Sequence, residues 1–439
     1  MFSLIRQRIT FSQNNSFLGA LEVAVLALFI FLSFALGFFK YQIAQGIVIV
    51  LLVAYAVAWL RFGARPQWHR LSYILIVLLV CATLLIPLTL EIYHHAHADE
   101  HETVLYHDGA LQSDIAFDYF LQGKNPYAET YFKTPLGESV VYRFFMGTTI
   151  FNPALEHYIY FPGTFLISGA STYLCEMVFG FGDVRVLFAL LFILSACCLW
   201  VMMRTHPLQR LVLIAYVFNP WSLYFLMQGR NDILPFTCLV FFAWFFLHSK
   251  YVFAGILLGL ALATKQFPWI FLPFLCAYIF VAYSRIDFRR ISIRMGLAAI
   301  CVATFALVPY VAWNPSAFFD DTFSYASGTS SGLNYPMSGY GFAQLIRYAG
   351  VYPLDTFPFW IIMLPVAAVL LSFGIKKIIH YKTLSSSFNF YALCMLGTFF
   401  FARFFHDNYI MYIIDVALLG VAVHVYESRR QRTLLVQSI

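Results

Sequence analysis

Four short polar clusters interrupt an otherwise apolar chain, and their residue types suit proton transfer and phosphate binding. The first is His107-Asp108-Gly109, followed by Gln112, Asp114, Asp118 and the run Gln122-Gly123-Lys124-Asn125-Pro126-Tyr127. The second is Gln228-Gly229-Arg230-Asn231-Asp232, the third Thr264-Lys265-Gln266, and the fourth Arg403-Phe404-Phe405-His406-Asp407-Asn408-Tyr409. A carboxylate such as Asp108 or Asp114 can take the proton of a hydroxyl nucleophile. Arg230, Lys265 and Arg403, with His406 beside the last, can neutralise a phosphate, and Arg suits a partly apolar phosphate site. His107, Asn125, Tyr127, Asn231, Asp232 and Gln266 stand in the same clusters and can hold the rest of a substrate. Each cluster also has an ordinary use: a capping Asp with two solvated acids, a turn with a local Arg–Asp pair, a snorkelling Lys, or plain loop residues. What favours chemistry is that all four reach the same face.

That face is set by helices in a membrane. Of 439 residues, 61% are hydrophobic and 11% charged, whereas a soluble domain carries about 25% charged residues. Mean hydropathy is +0.76. The expected class is an all-α polytopic membrane protein. A span takes about 20 residues, and about twelve runs qualify, near 17–38, 42–60, 71–92, 184–203, 210–227, 232–248, 251–264, 267–283, 293–312, 357–375, 387–402 and 409–425. Arg6 and Arg8 precede a run long enough to span and without a small-residue cleavage site, which reads as a first helix and not a removed signal. The eight cysteines show no ligand spacing and read as small buried residues.

Loop charge orients the bundle. With the N-terminus in the cytoplasm, the cytoplasmic gaps hold Arg61, Arg65 and Arg70; Arg204 and Arg210; Lys250; Arg285, Arg289, Arg290 and Arg294; Lys376, Lys377 and Lys382; and Arg429, Arg430 and Arg432. Every such gap is basic, as the positive-inside rule requires. The net charge of +6 follows from those loops and does not call for a nucleic-acid partner. The register needs 157–177, with Pro162, Gly163 and Gly169, to lie at the interface or re-enter and not to cross fully. Two large outer loops result, 93–183 and 313–356, and loops of that length are usually functional. Residues 1–60 form two leading helices ahead of a bundle over 61–439. Within the first outer loop, 110–122 reads as an amphipathic helix with Asp108 at its N-cap position and Gly123 at its end.

Two features stand apart. His94, His95, His97 and His101 lie among Asp99, Glu100 and Glu102; a divalent ion is one use for them, a solvated loop another, and no metal or other cofactor is expected. Asp415 falls inside the last span, where an acid needs a functional or hydrogen-bonding reason.

On these residues the chain resembles the GT-C integral-membrane glycosyltransferases that use polyprenyl-phosphate sugars, and within them the bacterial mannosyltransferase-like group that includes glycosyltransferase family 87. The likeness rests on Asp108 with Asp114, on Gly123-Lys124-Asn125-Pro126-Tyr127, on Gln228 to Asp232 and on Ala263-Thr264-Lys265-Gln266, over roughly residues 71–425. It implies an all-helical bundle and transfer of a hexose such as mannose to a lipid or glycan acceptor at the non-cytoplasmic face of the bacterial inner (plasma) membrane. The acidic motif would act as base. The chain departs from that pattern by two extra leading helices and by Asp108-Gly109 where paired acids are common, which leaves Asp108 and Asp114 both open as the base. A transporter or flippase of lipid-linked sugars is the competing class, but it calls for mid-membrane charges and internal repeats. A non-catalytic scaffold subunit is the third. No Gly-rich nucleotide loop is present.

Overall fold

A computed structural model gives the fold and describes residues 2–38, 40–63, 65–98, 104–139, 142–145, 148–350 and 357–437. The chain is helical almost throughout. The described strands are two short ladders: Tyr142–Phe145 antiparallel to Thr148–Phe151, and Ser338–Gly339 parallel to Phe404–Phe405.

Among the described residues, seven helices are long and apolar enough to cross a membrane: Phe17–Ala35, Gln42–Phe62, Gln67–His97, Arg185–Met202, Arg285–Trp313, Trp360–Tyr381 and Asp407–Thr433. Gln209–Val217 and Pro220–Gln228 form a further pair bent by 42°, at the point where Pro220 interrupts the hydrogen-bond ladder. Ile233–Leu247, Tyr251–Thr264, Phe267–Ala282 and Leu384–Phe400 are apolar but shorter. Segment 157–177 folds mainly as the helix Pro162–Phe179, which is not among the seven. Large side chains such as Phe305, 85% exposed, point outward from these helices, as lipid-facing residues do. The chain is an integral membrane protein. Cys197, Cys276 and Cys301 are exposed on such faces, contrary to the reading of all eight cysteines as buried, while Cys198 and Cys394 are buried. A thiol is apolar enough to face lipid as readily as a core.

The chain divides into two compact units, Met1–Leu105 with Leu199–Gln228, and Tyr106–Cys198 with Gly229–Ile439. In the first, Glu22 is fully buried within a span and takes a hydrogen bond from Arg210 Nε at 2.9 Å. Tyr55 OH adds a second at 3.3 Å. An ionised acid at that depth needs such partners. A π-turn at Cys81–Leu85 interrupts the long helix before Pro87, whose ring would otherwise collide with the carbonyl of Thr83.

In the second unit, Tyr251–Thr264 packs closely on Arg285–Trp313. Gly255 and Gly259 make this approach: a Cβ on either would strike the carbonyl of Met295 or Ala299. This is the small-residue spacing of membrane helix pairs. The helix Asp108–Leu121 lies against Pro162–Phe179, where Gly169 admits Phe117 and Ser113. Beneath it sits an aromatic core that includes Tyr127, Tyr131, Tyr158, Phe165 and Phe318.

Candidate functional site

Residues from all four sequence clusters border one cavity of about 320 Å³ inside the second unit. Its first wall is the start of the helix Asp108–Leu121. The N-cap is His107 and not Asp108: His107 Nδ1 accepts from Gly109 N at 3.0 Å, and Asp108 is the first helical residue. Asp108 Oδ1 accepts from the same amide at 2.9 Å and lies 3.0 Å from His107 Nδ1. Gly109 is required here, because a Cβ would lie 2.5 Å from Tyr160 OH. One turn on, Gln112 Nε2 donates to the carbonyls of Ala154 and His157 at 2.6 and 2.8 Å. The helix that carries Asp108 is thereby fixed to the opposite loop.

The second wall comes from the chain break at 264–268. Lys265 leaves the helix Tyr251–Thr264 in an extended conformation, and Pro268 sits in the turn that follows. The break is stitched down on both sides. Thr264 O accepts from Thr164 Oγ1 at 2.7 Å and Phe161 N at 3.2 Å, and Gln266 Nε2 donates to Ile159 O and Thr322 O at 3.1 Å each. Lys265 Nζ then reaches Asp232 Oδ1 at 2.6 Å and lies 5.1 Å from the Tyr160 ring centroid. Burial lowers the Lys265 pKa, against the pull of the Asp232 carboxylate.

The third wall joins the turn at 229–232 to residues 406–409. Gly229 has φ +75°, a left-handed turn position that suits Gly. Arg230 Nη1 lies 3.3 Å from Asp407 Oδ1, and Asn408 Nδ2 donates to Asp232 Oδ2 at 3.0 Å. His406 Nε2 meets Tyr335 OH at 3.0 Å and Ser338 Oγ at 3.3 Å.

His107, Asp108, Arg230, Asn231, Asp232, Lys265, Gln266 and His406 are therefore brought together. Asp114, Asn125, Tyr127 and Arg403 do not line the cavity. Asp114 faces the other side of its helix, where Tyr106 OH donates to it at 2.7 Å. Burial pushes its carboxyl up to about 7, against the hydrogen bond from Tyr106. It is not a solvated acid; Asp118 is exposed. Asn125 Oδ1 accepts from Tyr127 N at 3.2 Å, and Tyr127 is a core residue whose OH donates to Tyr160 O at 2.8 Å. Arg403 is buried and donates through Nε to the carbonyl of Tyr335. Of the other tyrosines nearby, Tyr160 and Tyr335 line the cavity, Tyr131 and Tyr158 are core, and Tyr340 is exposed. Of the histidines at 94–101, the ring of His97 stacks on Tyr93; Asp99, Glu100, His101 and Glu102 lie outside the described residues. Asp415 is buried, and its Oδ1 has no hydrogen-bond partner among the described residues.

Sequence reading missed Asp407, Asn408 and His157. The first two stand in the fourth cluster, two and one residues before Tyr409, and their types alone mark no partner. His157 lies beside Asp320 and Asp321, with ligand atoms within 4.8 Å of one another. The adjacent acids Asp320-Asp321 were the visible signal.

Residues 174–402, just over half of the chain, match the family model of glycosyltransferase family 87. The matched range carries Arg230, Asp232, Lys265 and Asp320, while Asp108 precedes it and Arg403 and His406 to Tyr409 follow it. No curated protein and no solved structure matches the chain significantly. The helical architecture, the apolar helices and this match agree: the chain belongs to glycosyltransferase family 87 and is a membrane glycosyltransferase.

Proposed function

We propose that this glycosyltransferase moves a hexose, such as mannose, from a polyprenyl-phosphate donor to a hydroxyl of a lipid or glycan acceptor at the non-cytoplasmic face of the bacterial plasma membrane. One observation carries the reading: Asp108 lines the same cavity as Arg230 and Lys265. That is the pairing of base and cations that this transfer requires. The acceptor O–H gives its proton to the Asp108 carboxylate as its oxygen bonds to the anomeric carbon. The bond from that carbon to the phosphate oxygen breaks, and polyprenyl phosphate leaves. Lys265 and Arg230 face the departing oxygen charge in a partly enclosed site, where fixed charges act more strongly than in bulk water. Asp232 and Asp407 hold both cations in place. Tyr160 and Tyr335 offer ring faces to the sugar.

Loop charge supports this orientation. The seven long helices, the bent pair and the four shorter apolar helices coincide with the runs read from sequence. Crossing as twelve spans, they leave the basic gaps on the cytoplasmic side and the four polar clusters opposite.

The test is transfer by purified protein in detergent or liposomes, with polyprenyl-phosphate mannose and a panel of lipid and glycan acceptors, read by mass spectrometry. A new glycosidic product that Asp108→Asn does not form is expected. Movement of lipid-linked sugar across liposomes without any new glycosidic bond would overturn the reading in favour of a flippase.

A further inference from the structure

We propose that Glu156, His157 and Asp320 form a divalent-cation site beside this cavity, with Asp321 holding the imidazole from behind. His157 is buried, lines the cavity and stacks on Tyr325 at 4.6 Å between ring centroids. Its Nδ1 lies 2.8 Å from Asp321 Oδ1, while Asp321 Oδ2 takes the Tyr158 amide at 2.8 Å. A carboxylate accepts, so Nδ1 carries the proton, and in the neutral imidazole Nε2 then offers its lone pair. This is the carboxylate–histidine arrangement that orients a metal ligand.

What Nε2 faces is a set of acceptors. Ser330 Oγ is 3.5 Å away, but its hydroxyl proton goes to Asp320 Oδ2 at 2.8 Å. Glu156 Oε2 is 4.0 Å away. Asp320 Oδ2 reaches the same space through Ser330 Oγ, which lies 2.8 Å from it and 3.5 Å from Nε2. Ligand atoms across a cation are about 4.2–4.4 Å apart, given metal bonds of about 2.1–2.2 Å. The space itself is kept open by Gly332, whose Cβ would lie 2.8 Å from Glu156 Oε2 and 3.4 Å from His157 Nε2. The donor set of one imidazole, two carboxylates and a hydroxyl suits a cation of the Mn²⁺ type.

Charge balance gives a second reason. The cavity is lined by Asp108, Asp232 and Asp407 against Arg230 and Lys265, before the acids around His157 are counted. A phosphate entering there needs more positive charge, and a divalent cation supplies it. This role rests on the phosphate-donor reading above; cation binding itself does not.

Protein stripped with EDTA is titrated with Mn²⁺ alone, and free Mn²⁺ is read by electron paramagnetic resonance. One ion per chain is expected, with a Kd at or below about 100 µM, within the range of carboxylate-built sites. His157→Gln and Asp320→Asn should each weaken binding at least tenfold, and the exposed Asp118→Asn should not. Thermal unfolding checks each variant; if His157→Gln does not fold, Glu156→Gln, on a partly exposed side chain, replaces it. Absence of stoichiometric binding, or binding that every variant retains, overturns the site. Specific Mn²⁺ binding by a protein that transfers no sugar would sink the donor reading and leave the cation site standing.

Discussion

Lys265 Nζ sits 2.6 Å from Asp232 Oδ1, and both side chains are buried. The cation that the sequence offers to a phosphate is thus already held by a carboxylate, which Asn408 holds in turn. Removing one member of a buried pair strands the other and typically costs about 3–5 kcal/mol, whereas removing both can be nearly neutral. Asp232→Asn and Lys265→Met should each lower thermal stability in detergent, and the double variant should recover much of the loss. Sugar transfer should stay low in the double variant, because the cation is gone. Additive losses would show that the pair is not a coupled unit.

Asp108 and Asp114 are separated by their helix. Asp108 lines the cavity, and Asp114 turns to Tyr106 behind it. Asp108→Asn should therefore cut turnover by roughly a hundredfold to ten-thousandfold, the usual cost of losing a general base. Asp114→Asn should keep turnover within about tenfold on the same scale. The reverse pattern would move the base to Asp114.

Asp114 also gives a pH-dependent stability. Burial raises its carboxyl to about 7 in the folded chain. Between about pH 4 and pH 7 the folded state therefore holds a proton that the unfolded state has released. Stability contributed by this group is present at low pH and falls as pH rises through that window, by up to about 4 kcal/mol. Asp114→Asn should flatten this part of the profile. Unfolding midpoints of wild type and variant, compared from pH 4 to pH 8, check it; parallel profiles would mean that Asp114 is ionised throughout.

Much of this was legible because the membrane simplifies the problem. Apolar runs had to become helices, since backbone groups in lipid have no other partners. Asp108, Arg230, Asp232 and Lys265 could be found because polar residues break those runs only for a reason. What remained hidden depends on rotation and on long-range packing. One helix turns Asp108 inward and Asp114 away, and no residue count across the uncertain helix start at 107–110 distinguishes them. His157 and Asp321 are 164 residues apart in sequence. Nothing local announces their contact. Arg403 was assigned by charge alone, but its guanidinium is used by the protein itself.

That use leads to the last expectation. Arg403 donates to the carbonyl of Tyr335, and Ser338–Gly339 pairs with Phe404–Phe405 just beyond it. Tyr335 and Ser338 in turn meet His406 at the cavity. Arg403 therefore positions the segment 328–338, and His406 is the part of this cluster that lines the cavity. Gly328 fits against the guanidinium at φ +81°, and a Cβ there would lie 2.5 Å from Arg403 Nη1. Gly328→Ala should lower stability by at least about 1 kcal/mol, as Ala does where φ is positive. Arg403→Lys loses the planar group that reaches the carbonyl. It should make the segment more susceptible to limited proteolysis and raise KM for both donor and acceptor. Gly328→Ala should do the same without changing any charge. If Arg403→Lys instead raises KM for the donor alone, with the segment still protected, then Arg403 contacts the donor phosphate directly.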